Sequence, residues 1–162
     1  MRQELKHIRE ASIFDYPILA THHRKMFEDI CEKTGKTLEK EKAKEIEKAY
    51  LDKLVTEVDN GICKAWVIED KGEIVSSGAI TLVSCVPSPS DLSSKVAYLH
   101  SMYTEKNYRR IKCVQKIIHK IIEHCKVNGI KRIFLNASEE GQPVYQKFGF
   151  SSAPETMKLF IK

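Results

Sequence analysis

Ala97-Tyr98-Leu99-His100-Ser101-Met102-Tyr103-Thr104-Glu105-Lys106-Asn107-Tyr108-Arg109-Arg110-Ile111-Lys112-Cys113-Val114 decides the reading of this 162-residue chain. Val96 to Thr104 reads as a strand, and a short basic turn follows. The period then changes: Val114, Ile117, Ile118, Ile121, Ile122 and Cys125 recur at i, i+3, i+4 spacing. Lys112, Lys116, His119, Lys120 and Glu123 take the opposite side, which makes this the strongest amphipathic helix in the sequence. Asn128-Gly129 ends it. The unpaired N–H groups and positive end of such a helix suit an anion, and Arg109 and Arg110 place two cations beside it. The residues alone point to a phosphate or pyrophosphate site, or to a surface turn that is merely basic.

Working outward, Leu5 to Glu10 alternates as a first strand. Ser12, with Asp15 three residues on, or else Asp15 itself before Tyr16-Pro17, starts a helix that runs to about Lys33 and stops at Gly35. A second helix covers about Leu38 to Val58, its Lys36–Lys48 stretch a solvated face of Glu and Lys. Cys63 to Glu69 and Ile74 to Val86 form a hairpin around Asp70-Lys71-Gly72-Glu73. Ser77-Gly78 marks a bulge or a close approach. After the long helix come a strand over Arg132–Asn136, a short helix from about Gly141 to Phe148, and a last strand over Glu155–Ile161. The order is β, two helices, three strands, helix, strand, helix, strand. One mixed α/β domain over residues 1–162 accounts for it.

Composition narrows the function classes. Hydrophobic residues make up 42% and charged residues 30%, and no run approaches a membrane span. The charged start of the chain lacks an apolar signal core, so a cytoplasmic location is expected. The five cysteines are odd in number, and none are spaced C-x-x-C; buried thiols are expected rather than a disulfide framework or a metal site. The net charge of +5 is spread along the chain, with no aromatic–basic interleaving, so nucleic-acid binding is not expected. His22-His23 is not a metal signal, because helical neighbours point apart and no third ligand is evident, and it reads as a solvated helix face.

The quoted run resembles the acyl-CoA segment of the GCN5-related N-acetyltransferases. Met102-Tyr103-Thr104 is similar to the family's strand end, and Tyr108-Arg109-Arg110 to the start of its phosphate loop. Downstream, Asn136-Ala137-Ser138-Glu139-Glu140-Gly141-Gln142-Pro143-Val144-Tyr145-Gln146-Lys147-Phe148-Gly149-Phe150 resembles the family's strand, helix and Tyr-x-x-x-Gly-Phe ending. Met157-Lys158-Leu159 resembles its last strand. The chain departs at Lys112, where the family usually has glycine, and at Val114, where it has glycine or alanine.

The resemblance implies a mostly antiparallel twisted sheet, splayed between its fourth and fifth strands and flanked by about four helices. It implies acetyl-CoA as co-substrate and a small-molecule or peptide amine as acceptor, with no metal. Met102, Tyr103 and Thr104 would meet the pantetheine, as would Asn136. Arg109, Arg110, Ile111, Lys112, Cys113, Val114 and Gln115 would hold the phosphates. Tyr145 would also touch the cofactor and serve as general acid. No carboxylate lies between Val96 and Thr104, so His100, on one strand face with Tyr98 and Met102 by alternation, is the candidate base. The first two helices, with His22, His23, Arg24 and Tyr50, would wall the acceptor site, and the Pro87–Ser94 loop would join its rim. A catalytically impaired acyl-CoA-binding module is the alternative. Pairing of an edge strand with a second copy leaves a homodimer open.

Overall fold

The computed structural model describes residues 7–162. Leu5 and Lys6 of the expected first strand lie outside them. β1 (His7–Glu10), β2 (Cys63–Asp70), β3 (Glu73–Ser84) and β4 (Lys95–Thr104) are antiparallel neighbours in that order, and β5 (Ile133–Phe134) runs parallel to β4. Four helices flank this five-stranded sheet: α1 (Tyr16–Lys33), α2 (Lys40–Glu57), α3 (Cys113–Val127) and α4 (Gln142–Gln146).

Local chemistry explains the boundaries. The Asp15 carboxylate accepts a 2.7 Å bond from the Ser12 N–H and holds Arg9 at 2.7 Å, fixing the entry to α1. Lys71 and Gly72 both have positive φ, 53° and 82°, as a two-residue turn between twisted strands requires. Lys42–Glu45, Lys44–Glu41 and Lys48–Asp52 pairs lace the exposed face of α2.

Alternation along the strands separates two cores. Cys63, Ala65, Val67 and Ala79 pack against Tyr16, Leu19, Tyr50 and Leu54 of α1 and α2. Trp66, Ile68, Ile80 and Leu99 pack against Ile117, Ile121 and Cys125 of α3.

The expected irregularity at Ser77-Gly78 is present, but the extra residue belongs to β4. Ser77 faces Tyr103 and Ala79 faces His100, so Ser101 and Met102 together oppose Gly78. Ser101 adopts a left-handed φ of 56°. This bulge shifts the alternation by one. Ser101 therefore joins Tyr98 and His100 toward α1 and α2, whereas Met102 packs with the α3 core, correcting the expected His100–Met102 face. Gly78 makes room for Met102: a Cβ there would stand 2.1 Å from its Sδ.

The C-terminal third differs most from expectation. β5 covers two residues rather than Arg132–Asn136, and α4 is shorter than Gly141–Phe148. Glu155–Ile161 forms no strand; Met157, Leu159, Phe160 and Ile161 are exposed. Periodicity within a short segment reports strand propensity, whereas a strand exists only where a neighbour supplies its hydrogen bonds.

Candidate active site

β4 and β5 pair only at Ala97–Ile133 and Tyr98–Phe134. Beyond Tyr98 the two diverge, leaving the β5-side edge of residues 99–104 unpaired with β5. A cavity of about 730 Å³ opens there, reaching from His23, Tyr50 and Tyr98 to Arg109 and Val114. The expected splay is thus where the cavity lies.

One wall is the strand itself. Met102, Tyr103 and Thr104 line the cavity, as does Asn136 across the gap. The Asn136 amide donates to the Tyr98 hydroxyl at 3.2 Å. Thr104 is tied to Ser76, which bonds its hydroxyl at 2.8 Å and the Tyr103 carbonyl at 3.0 Å. Those side chains rigidify the strand.

The basic turn lies at one end. Arg109 and Val114 line the cavity. The Arg109 guanidinium is already engaged: it donates to Asp29 on α1 at 2.5 Å and to the Thr104 carbonyl at 2.9 Å, and lies over the Tyr103 ring. It braces α1 against the turn. Arg110 and Lys112 are exposed, with left-handed φ of 66° and 64°. Lys112 is the N-cap of α3, so a lysine keeps the backbone conformation that glycine adopts most cheaply. Cys113 is buried, Ile111 packs on the α3 core, and Val114 and Gln115 are half-buried in the first turn of α3.

Tyr145 lines the cavity from α4, half-buried against the α3 core and edge-on to Phe150. Burial pushes its hydroxyl up to about 12, so it holds its proton at neutral pH.

At the other end is a polar floor. His100 Nδ1 lies 2.8 Å from Ser101 Oγ and its Nε2 lies 2.8 Å from Thr81 Oγ1. His23 Nδ1 lies 2.8 Å from the same Ser101 oxygen. The His23 ring stacks on Tyr50 at 4.0 Å. Burial lowers His23 to about 4; burial, then Lys53 and His23, lowers His100 to about 3, so both are neutral at pH 7.

The His22-His23 pair is therefore not a solvated face. His22 is fully buried, with Nδ1 2.8 Å from Ser77 Oγ, and burial lowers it to about 4. The neighbours do point apart, but both point inward, because α1 lies flat on the sheet. His23 and Tyr50 line the cavity; His22 and Arg24 do not, Arg24 being held by Glu28 and Glu47. The Pro87–Ser94 loop is also absent from the lining; its Asp91 is buried and bound to Arg132 at 2.6 Å. Ser101 and Thr81 went unread in the sequence. His23 was legible: Leu19, His23, Phe27 and Ile30 share one helical stripe.

Among the described residues no three His, Cys, Asp or Glu side chains form a metal-holding group, and no helix is long and apolar enough to cross a membrane.

Known structures share this fold. A predicted acetyltransferase from Clostridium acetobutylicum, solved with acetyl-CoA, is 24% identical, with a TM-score of 0.80 over 96% of each chain. A GCN5-related N-acetyltransferase from Ralstonia eutropha JMP134 is 23% identical, with a TM-score of 0.83 over 96% of this chain and 99% of that one. Glucosamine-6-phosphate N-acetyltransferase from Arabidopsis thaliana has a TM-score of 0.65 at 19% identity, over 98% and 100%. At these identities the likeness concerns the fold. No curated protein matches the sequence. The sequence profile of the acetyltransferase (GNAT) domain matches residues 34–158, most of the chain, and with the splayed sheet this places the protein in the GNAT acetyltransferase family.

Proposed function

We propose that the protein, as one acetyltransferase domain over residues 1–162, transfers an acetyl group from acetyl-CoA to a primary amine by direct attack in a ternary complex. The observation that carries this reading is the single cleft between β4 and β5. It joins a basic helix N-terminus, unpaired strand edge, a protonated phenol and a floor of neutral imidazoles.

The fit is chemical as well as spatial. The first N–H groups of α3, with exposed Arg110 and Lys112 beside them, suit a pyrophosphate. Main-chain groups of Met102 and Thr104, with Asn136 opposite, suit the amides of pantetheine. Acetyl-CoA supplies an activated thioester. A backbone N–H near Met102 or Tyr103 would stabilise negative charge developing on its carbonyl oxygen. Tyr145 would protonate the departing thiolate, and the imidazole floor would receive the nitrogen's proton directly or through water. The left-handed φ of Lys112 weighs against an impaired cofactor site, since the lysine holds the backbone conformation that glycine adopts most cheaply.

Calorimetry with acetyl-CoA, followed by CoA-thiol release with a broad panel of amines, tests this. Micromolar binding, weakened several-fold in Arg110→Ala, is expected. Tyr145→Phe should lower kcat about 100-fold while leaving the KM for acetyl-CoA in place. Absence of binding at millimolar acetyl-CoA would refute the reading.

A further inference from the structure

The floor of the cavity is a closed hydrogen-bond system with one opening. Ser101, 6% exposed, offers one O–H donor and two acceptor positions. Two imidazoles use them: His23 Nδ1 and His100 Nδ1, each at 2.8 Å. Ser101 has one O–H to give, so at least one imidazole donates to it. Where His23 donates and His100 accepts, the two histidines hold opposite tautomers.

The pair is not equivalent toward the cavity. His100 has Nδ1 on Ser101 and Nε2 on Thr81, so neither ring nitrogen is left for a ligand. His23 has only Nδ1 engaged. Its Nε2 makes no hydrogen bond among the described residues, and the one buried side-chain polar atom there without a hydrogen bond is Nε2 of His22, which lies 3.4 Å from Glu105 Oε1. His23 lines the cavity, stacked on Tyr50 and edge-on to Phe27 at 5.1 Å, so its ring orientation is fixed. Asp29 is the one carboxylate in the described lining, and Arg109 holds it.

We infer that His23, through Nε2, is the base that takes the proton from the attacking acceptor nitrogen, with Ser101, His100 and Thr81 as positioning residues that hold its Nδ1–H tautomer. This rests on the amine-acetylation reading and corrects its expected base. In the reactive tautomer protons run one way: His23 Nδ1–H to Ser101, Ser101 O–H to His100 Nδ1, and His100 Nε2–H to Thr81. The acceptor reacts as neutral amine. As its nitrogen bonds to the thioester carbonyl carbon it becomes strongly acidic, so even a weakly basic imidazole accepts its proton. The C–S bond then breaks, Tyr145 gives its proton to sulfur, and the His23 proton returns through water to the Tyr145 oxygen. The amine has lost one N–H proton and CoA has gained one S–H proton.

The other polar and titratable groups lining this end of the cavity are Tyr50 and Lys53 on α2, Thr81 on β3, and Tyr98, His100 and Ser101 on β4. Lys53 is paired with Glu57, and no carboxylate among these groups competes for the proton. His23 precedes the residues matched by the family profile, 34–158.

Two measurements on the full chain test the inference. Two-bond ¹H–¹⁵N correlation spectra of the wild-type protein at pH 7.5 should show His23 with a bare Nε2 and His100 with a protonated Nε2. A protonated His23 Nε2 overturns the inference, whatever the acceptor. With the best amine of a panel of phenethylamine, spermidine, glucosamine and a peptide with a free N-terminus, His23→Gln should lower kcat at least 100-fold. Acetyl-CoA affinity by calorimetry should be unchanged, which also reports that the variant folds. Free imidazole should restore part of the turnover in His23→Gly, which a packing role would not allow. Undiminished turnover in His23→Gln removes the base alone. If the wild type acetylates no amine of the panel, the amine reading fails, and the base assignment with it.

Discussion

At one end of the cleft, residues 108–115 form a contiguous run whose work is done by the backbone: two left-handed residues and the opening N–H groups of α3. At the other end, His23, Tyr50, Thr81, His100 and Ser101 come from α1, α2, β3 and β4, and their work is done by side chains. The turn is exposed and basic; the floor is buried and neutral. A backbone device tolerates substitution where the conformation survives, as Lys112 shows. A side-chain device fails at any member, because a buried polar group without its partner costs about 1–3 kcal/mol.

Acid should separate the two ends most strongly. His22, His23 and His100 have folded-state values of about 4, 4 and 3, below the ordinary histidine value near 6.5. Below pH 6.5 the unfolded chain takes up protons that the folded floor refuses. Stability is therefore full above pH 6.5 and falls as pH drops toward 4. At pH 5 each histidine costs up to about 2 kcal/mol, and roughly 4–6 kcal/mol together is expected. Thermal unfolding from pH 7.5 to 4.5 should show a steep fall in Tm, flattened in His22→Gln. A flat profile would mean that the floor is hydrated and would break the contrast.

A smaller effect is expected midway along the cleft. The added methyl of Gly78→Ala would displace Met102 and press on Ile117 Cγ2 at 3.0 Å. A loss of about 1–3 kcal/mol follows, read as a lower Tm. Met102→Ala in the same protein should recover much of it, since the sulfur no longer needs the space. The smallest effect belongs to the turn. Lys112→Gly relieves a left-handed side chain but loosens the unfolded chain, for a net gain of at most about 1 kcal/mol. Acetyl-CoA affinity should change by less than about threefold, because the backbone path is already present. A much larger gain in affinity would show that the lysine obstructs the phosphates.

The same contrast explains what the sequence made readable. The helix after the basic run and the hairpin at Lys71-Gly72 follow from local period and turn chemistry, whereas the splay past Tyr98 is implied by the family resemblance. The floor depends on a bulge in β4 at Ser101, and an extra residue in a strand leaves no mark in alternation until its partner's register is known. Alternation therefore carried Met102 to the wrong side. The His22-His23 pair misled because a polar residue type was weighed above its place on the stripe of Leu19, Phe27 and Ile30. The Glu155–Ile161 stretch has strand-like residues, but no neighbouring strand supplies a ladder for it.

The placement of the cysteines bears on chemical side reactions. Thioesters exchange with thiolates, so a protein that holds one does well to keep its own sulfurs protonated. Cys63 and Cys125 are buried with thiols pushed up, Cys125 to about 11, and Cys113, in the first turn of α3, gives its proton toward the Tyr108 carbonyl. Only Cys31 and Cys85 reach the surface in part. Both partly exposed thiols lie outside the cavity lining, and Cys31, beside the lining residue Ile30 on α1, is a natural attachment point for a probe of motion along that wall.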